Sequence, residues 1–399
     1  MSEPPRRARR PAAAARPQRL AAPGQPASAG SIAPLPAEPT RAFGAAGLRA
    51  LVAAVQANCE LADARHATEL TLCTYLLQMR EFYRWANRLP FAAELPRAQL
   101  GSWLAAREAQ WEQLSDAGWQ PLPLGDASVD PFAAPAVNAR LQAHGFVYGV
   151  GLGAGDRPLF FLAELHARTQ RDGVPVVVAG RELARGLVAP PAVLADEHGD
   201  AQIVLRRDAI ARWGWQQFEA FKLRPVEGGP RAAAVQAYGL DRGFDAALPT
   251  FVDEQTEAAL LHELGELRVG RRLGPAWTAL RRALPSRRGE LHARALRDLL
   301  ADLELTLPTL LERGAERALH LWFASFDGVR AQLYPQLPAA WRTWRDGDRG
   351  AALRAACALG RRHFDALAQR LLQRHARADA AAAAACEALL VDPTAICRG

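Results

Sequence analysis

The sequence predicts a mainly α-helical protein, built as multi-helix bundles with a small α+β module in the middle. Apolar residues recur at a helical spacing of about 3.6 over residues 43–89 and again from 230 to about 390. Between these stretches lie short runs rich in β-branched and aromatic residues, bounded by turn residues. No unit of about 20–50 residues repeats, so a solenoid is not predicted.

These patterns divide the chain into four predicted regions. Residues 1–42 form a Pro, Ala and Arg-rich tail, predicted to be disordered because it has too little apolar surface to offset ordering entropy. Residues 43–120 are the N-terminal helical part, 121–228 the α+β module, and 229–399 the C-terminal helical domain. Proline and glycine breaks predict about seven helices in this last domain.

The first helical part contains two predicted helices, over residues 43–89 and 96–118. The first keeps its apolar face until Pro90. The second has a proline near its start and a glycine at its end. Both features are usual helix boundaries.

The middle module is predicted to contain a β-hairpin. Strand-like runs cover residues 146–150, 158–168 and 174–180, and the turn sequence TQRDG joins the last two. The sequence RELARGLV (181–188) predicts a helix, and residues 201–221 predict a short strand that runs into a helix. The glycine-rich run between the first two strands is interpreted as a flexible hairpin connection, because a dinucleotide-binding loop would be followed by a helix.

Composition excludes several classes of function. The net charge is +7, but residues 1–41 contribute seven Arg and two Glu, which leaves the rest almost neutral. Nucleic acid is therefore not an expected partner. No run of about 18 apolar residues is present, so no membrane span is expected. The five cysteines contain no CxxC pair, and the N-terminus lacks an apolar signal, so a cytoplasmic location with reduced thiols is predicted.

The first candidate site lies near the end of the 43–89 segment. On a helical wheel, Asp63 and His66 fall on the apolar face, and Glu69 lies beside it. A charged group on a buried face is costly unless it is paired or bound to metal. The carboxylate-x-x-His spacing is also the one that di-iron helical bundles use.

The second candidate site is the sequence LHELGEL, residues 261–267. Its spacing is that of the HExxH zinc-protease motif, with Glu266 in the place of the second His. Glu263 would then be the catalytic base, and His262 and Glu266 metal ligands. No third downstream ligand is identified, so peptidase activity is not predicted. Asp298 and Asp302 follow one helical turn apart, at the edge of an apolar face.

Two hypotheses account for these residues. In the first, the chain is a metal-dependent or acid/base enzyme whose site lies between helices 43–89 and 251–273. Glu263 is its catalytic base, and a divalent Fe, Mn or Zn ion is its cofactor, held by carboxylates and histidines: Asp63, His66, Glu69, His262 and Glu266. In the second, the chain is a non-catalytic scaffold or interaction protein. The same groups then form a buried polar network, and the Arg-rich tail binds an acidic partner.

Three segments carry a resemblance to a known family. The runs CELADARHATELTLCTYLLQMREFYRW, GRELAR and HELGE resemble a family of uncharacterised proteobacterial proteins. The resemblance covers most of the chain after the tail. It implies no activity, ligand or fold.

Overall fold

A five-stranded mixed β-sheet forms the centre of the N-terminal half, and helices make up most of the remaining chain. The computed structural model describes residues 44–114, 116–152, 157–197, 200–377 and 380–391. The tail that is predicted to be disordered, residues 1–42, lies outside the described residues.

Three helices precede the sheet: α1 (Gly44–His66), α2 (Leu72–Ala86) and α3 (Arg97–Leu114). The single helix predicted over residues 43–89 is therefore wrong, because the chain bends between α1 and α2. A short 3₁₀ turn follows α1, Leu70 is extended, and the Thr71 hydroxyl accepts a hydrogen bond from the Thr74 N–H at 3.3 Å. A threonine in this position caps and starts a new helix. α3 agrees with the helix predicted over 96–118.

The strands form two sheets, with one helix among them. In chain order, the elements are β1 (Leu122–Leu124), β2 (Ala127–Val129), α4 (Ala134–Leu141), β3 (Phe146–Leu152), β4 (Pro158–Arg171), β5 (Val174–Arg185), β6 (Ala192–Glu197) and β7 (Asp200–Arg206). β1 pairs with β2, and the other five have the order β3-β4-β5-β7-β6. All neighbours are antiparallel except β5 and β7, which are parallel.

The predicted hairpin between 158–168 and 174–180 is confirmed as β4 and β5. Asp172 and Gly173 connect the two strands with φ values of 51° and 76°. Positive φ at both central residues defines a type I′ turn, for which Asp-Gly is a preferred sequence. The sheet is nevertheless larger than the small antiparallel hairpin predicted, since it also contains β6 and a parallel pairing of β5 with β7.

The helix predicted over residues 181–188 is wrong. Most of this segment belongs to β5, which continues to Arg185 beside β4. Two of its polar side chains, Glu182 and Arg185, are buried. The local helix propensity of RELAR is outweighed by the strand partner and by this burial.

The two faces of the sheet pack separately, because successive strand residues point to opposite sides. α1 covers one face, where it forms a core with β3, β4 and β5 that includes Leu51, Val55, Phe146, Tyr148, Phe160 and Leu162. A second core holds alternate residues such as Val147, Phe161, Ala163, Val177 and Val204.

The C-terminal helices begin directly after β7. They are α5 (Arg207–Leu223), α6 (Pro230–Tyr238), α7 (Phe244–Ala283), α8 (Arg287–Ala301), α9 (Leu307–Glu312), α10 (Glu316–Ala324), α11 (Gly328–Leu333), α12 (Leu337–Arg345), α13 (Ala351–His375) and α14 (Ala380–Val391). The strand and helix predicted over 201–221 are confirmed as β7 and α5. From residue 230 onward the described residues contain nine helices, rather than about seven, because several proline breaks bound very short ones.

α5 and α7 contact the sheet strands β5, β6 and β7, and α7 also packs on α8. α7 is interrupted at Gly274, whose φ is 68°, as the Gly274–Pro275 break predicts. Pro249 lies inside α7 and does not break it. Among the described helices, none has both the length and the apolar character to cross a bilayer.

Candidate functional site

The backbones of α7 and α8 come close together at Gly265. A Cβ atom on this glycine would lie 2.8 Å from the carbonyl oxygen of Ala301, at the end of α8. Only a residue without a side chain permits this backbone approach. The crossing brings the polar residues on either side of Gly265 against the chain that follows Ala301.

That chain is a π-helical turn, Asp302–Thr306, between α8 and α9. Pro308 lies near the start of α9 and has no N–H, so the carbonyl of Glu304 cannot receive the usual helical hydrogen bond. π turns within helices are frequent at functional sites. This one holds the Asp302 side chain in the interior with no solvent exposure.

Asp302 binds His262 across the crossing. The distance from Asp302 Oδ1 to His262 Nδ1 is 2.8 Å, and the other ring nitrogen, Nε2, lies 3.5 Å from Glu266 Oε1. Burial by itself would lower the pKa of His262, but the two carboxylates outweigh it and raise this pKa well above its usual value. The imidazole therefore lies between two acids that favour its protonated form, with 27% of its side chain exposed.

Three more charged groups surround this pair. Arg297 Nη2 donates to Glu266 at 2.5 Å, and together with His262 it outweighs burial and lowers the pKa of Glu266. Asp298 shares a hydrogen bond with Glu266, and burial with this contact raises the pKa of Asp298 to about 7. Burial raises the pKa of Glu263 to about 7. The negative charge of Glu266 acts in the same direction, and His262 acts against it. The cluster thus combines one low-pKa carboxylate with two carboxyl groups that titrate near neutral pH.

The residues predicted in the first segment lie in a different setting. Asp63 is buried and accepts the Leu187 N–H at 2.8 Å, and burial raises its pKa to about 7. His66 Nδ1 lies 2.7 Å from Glu69 Oε1, and Glu69 also pairs with Arg157 at 2.8 Å. The hydrogen bonds with His66 and Arg157 lower the pKa of Glu69.

The structure therefore brings His262, Glu263 and Glu266 together and does not join them to the first segment. Within the described ranges, no hydrogen bond or ion pair connects Asp63, His66 or Glu69 with the α7–α8 cluster. In the same part of the chain, no group of three or more His, Cys, Asp or Glu side chains is arranged to hold a metal ion.

Asp302 is the residue whose role the sequence did not reveal. Its position one turn after Asp298 is visible in the sequence, but its contact with His262 spans 40 residues. The available signals were Gly265, which permits the close crossing, and Pro308, which disturbs the helix after Asp302.

Two family models match the chain. The N-terminal domain model of DUF6866, a family of unknown function, matches residues 50–206, and its C-terminal domain model matches residues 211–393. The chain belongs to the DUF6866 family. The family resemblance drawn from the sequence is thus confirmed, while a proteobacterial origin stays a prediction. Searches of the curated proteins and of the solved structures gave no match.

A buried ion group joins the two DUF6866 domains. Glu182 of β5 is fully buried and binds Arg206 at 2.6 Å and Arg212 at 2.9 Å. Burial alone would raise the pKa of Glu182, but the two arginines lower it to about 2. Arg206 closes the N-terminal match and Arg212 lies at the start of the C-terminal one. The candidate site on α7 and α8 lies wholly in the C-terminal domain.

Proposed function

We propose that the α7–α8 cluster is the proton-transfer site of an acid/base enzyme. One observation carries the proposal: the His262 imidazole lies between the Asp302 and Glu266 carboxylates, at a position that solvent partly reaches. Buried Asp302 fixes the ring through Nδ1, as the acid that orients a catalytic histidine does. Perturbed acids grouped around such a histidine are more frequent at functional sites than elsewhere.

Glu263 and Asp298 are the groups that exchange protons in this proposal. Each has a pKa of about 7, so each is present in both protonation states near neutral pH. A general acid or base works best when its pKa lies close to the working pH, and contributes a factor of about 10²–10⁴ to the rate. His262 and Arg297 stabilise the negative charge that develops when either acid loses its proton.

The metal-dependent form of the first hypothesis fits these residues less well. A histidine that binds Fe, Mn or Zn must be deprotonated on the binding nitrogen. Both nitrogens of His262 face carboxylates, and these carboxylates raise its pKa. Releasing the proton for a metal therefore means losing two favourable contacts.

A screen of model substrates with matched variants tests the proposal. Wild-type protein is assayed against aryl esters, aryl phosphates and aryl glycosides from pH 5 to pH 9. We expect turnover of one class, with a pH limb near 7, and a loss of about 100-fold in Glu263→Gln. The control is Glu304→Gln, because Glu304 pairs with Arg272 of α7 at 2.6 Å and lies outside the proton-transfer set. Turnover that survives in Glu263→Gln, or no turnover of any class, contradicts the proposal.

Metal analysis of the purified protein separates the two forms of the enzyme hypothesis. Proton transfer alone requires no bound metal. Stoichiometric Fe, Mn or Zn that disappears in His262→Ala would replace the proton-transfer role with a metal-binding one.

A non-catalytic role has one observation in its favour. Glu266 and Asp302 each have an arginine partner, Arg297 at 2.5 Å and Arg330 at 3.4 Å. A charge-balanced network of this kind also occurs where buried polar groups only fix how helices pack. In that case Glu263→Gln changes the stability of the protein and no catalytic rate.

A further inference from the structure

α7 and α8 also bring three arginines together next to the proposed proton-transfer site. Arg281 lies on α7, and Arg294 and Arg297 lie one turn apart on α8. Their side chains are 21%, 33% and 26% exposed, so a dissolved ion can reach them. We call these three residues the arginine group. It adjoins the proton-transfer site directly, because Arg297 pairs with Glu266 at 2.5 Å.

Two members of the arginine group share a single carboxylate oxygen. The Oε1 atom of Glu290 accepts hydrogen bonds from Arg294 Nε at 3.0 Å, from Arg294 Nη2 at 2.6 Å and from Arg281 Nη2 at 3.4 Å. Each oxygen of a carboxylate has about two lone pairs, so three donors exceed what this atom accepts well. A further anion beside Glu290 would give these donors a second acceptor.

The charges around Arg281 are also predominantly positive. Burial, followed by the positive charges of Arg294 and Arg297, lowers the pKa of Arg281. The hydrogen bond and the negative charge of Glu290 act in the opposite direction and do not offset this effect. A positive potential of this kind attracts anions and raises their local concentration.

Two glycines leave open space on α7 between the arginine group and the acids. Gly270 and Gly274 lie between Glu266 and Arg281 and are one turn apart. A Cβ atom on either glycine would meet no other atom within 4 Å in the described part of the chain. Because these positions have no side chain, a small molecule can lie against the α7 backbone here.

A phosphate group matches this arrangement better than a carboxylate does. The guanidinium group presents a fork of N–H donors that fits the oxygens of either anion. A phosphate monoester, however, has three terminal oxygens and about two negative charges near neutral pH. Guanidinium groups that come from two helices can therefore bind separate oxygens of one phosphate.

The spacing along α8 separates the phosphate from the reacting atoms. Arg294 and Asp298 are four residues apart, which corresponds to a rise of about 6 Å. A phosphate held by Arg281 and Arg294 therefore lies a few bonds away from the atoms that exchange protons with Asp298. The phosphate would anchor the substrate, and another part of the molecule would react.

We propose that the arginine group binds the phosphate of a phosphate monoester, and that such monoesters are the substrate class of the α7–α8 site. Arg281 and Arg294 hold the phosphate, and the organic part extends past Gly274 and Gly270 towards Asp298. The substrate assignment rests on the proposed function, whereas the binding of phosphate does not.

Calorimetric titration of the full chain at low ionic strength tests the binding with three probes: inorganic phosphate, acetate and phenyl phosphate. Inorganic phosphate should bind about three- to tenfold more tightly than acetate, because it has more charge and more acceptors. No binding of phosphate, or binding no tighter than that of acetate, overturns the proposal. Phenyl phosphate should bind more tightly than inorganic phosphate, because its ring covers the α7 surface at the two glycines. Phenyl phosphate that binds no more tightly assigns the site to free phosphate and overturns the substrate assignment.

Matched variants locate the binding in the arginine group. Arg281→Gln combined with Arg294→Gln should weaken the binding of phosphate by about tenfold or more. The control is Arg271→Gln combined with Arg282→Gln, which removes the same charge from exposed positions of α7 outside the group. This control should change the affinity by less than about threefold. Equal losses in the two double variants would show unspecific attraction to a basic surface and overturn the proposal.

Glu290→Gln gives a test that does not depend on a loss of binding. It keeps all three arginines and removes the negative charge that competes with the phosphate, so phosphate should bind about two- to fivefold more tightly. Glu304→Gln is its control, because it removes an acid from Arg272, which is outside the group. Unchanged or weaker binding of phosphate in Glu290→Gln contradicts the proposal.

Failure of this inference and failure of the proposed function give different results. Binding of phosphate without turnover in the substrate screen would overturn the proton-transfer role and the substrate assignment, and would support the anion site. Turnover in the screen without binding of phosphate would overturn the anion site and support the proton-transfer role.

Discussion

Replacing Gly265 by alanine tests the helix crossing on which the candidate site depends. The new Cβ would lie 2.8 Å from the Ala301 carbonyl oxygen and 3.1 Å from its carbonyl carbon and Cα. These are backbone atoms, so no side-chain rotation relieves the contact, and α7 must move away from α8. Overpacking of this kind costs about 1–3 kcal/mol, against a gain of about 1 kcal/mol from placing alanine instead of glycine in a helix.

Gly270→Ala is the matched control on the same helix. A Cβ at Gly270 has no neighbour within 4 Å, so this substitution should stabilise the protein by about 0.5–1 kcal/mol. We therefore expect the free energies of unfolding of the two variants to differ by about 2 kcal/mol. Urea unfolding followed by circular dichroism measures both values. Equal stability of the two variants would refute the close crossing, and with it the placement of Asp302 against His262.

Three further predictions concern the burial of side chains elsewhere. Because burial raises the pKa of Asp63 to about 7, the folded state keeps a proton that the unfolded state loses, so this residue alone should lower stability by about 1.4 kcal/mol per pH unit between pH 5 and pH 7. Glu263 and Asp298 act in the same direction over the same range. Asp63→Asn should therefore reduce the slope measured by urea unfolding by the Asp63 share, and an unchanged slope would count against it. Glu182→Gln should lower the free energy of unfolding by about 3–5 kcal/mol in the same assay, because it leaves two buried arginines without a counter-charge. A decrease below about 1 kcal/mol would mean that the ion group contributes little to stability. Maleimide should label the exposed Cys73 of the native protein, as read by peptide mass spectrometry. Labelling of the buried Cys59, Cys357 or Cys386 would contradict the fold.

The elements that sequence predicts correctly are those whose cause is local. The Asp172–Gly173 turn is one example, since the positive φ it needs is a property of those two residues. Residues 181–185 are the opposite example, because their strand conformation comes from pairing with β4 and from the distant partners of Glu182. A helical pattern within five residues contains no information about such partners.

The candidate site also contains residues that the sequence predicts and one that it does not. His262, Glu263 and Glu266 are predictable together because residues three and four apart share one side of a helix. Asp302 is not, because its contact with His262 depends on how two helices cross. The helical wheel also places Asp63 correctly on a buried face of α1. It gives no distance between α1 and α7, however, so it cannot establish the predicted metal site between these two helices.

The ion group around Glu182 has a consequence for how the two DUF6866 domains are inherited. β7 ends at Arg206 and α5 begins at Arg207, so no linker separates the two halves. A recombination event at this point would give one descendant a buried glutamate with half its partners and the other an arginine without its acid. Exchange of a single domain between relatives should therefore succeed only where this acid and both arginines are retained.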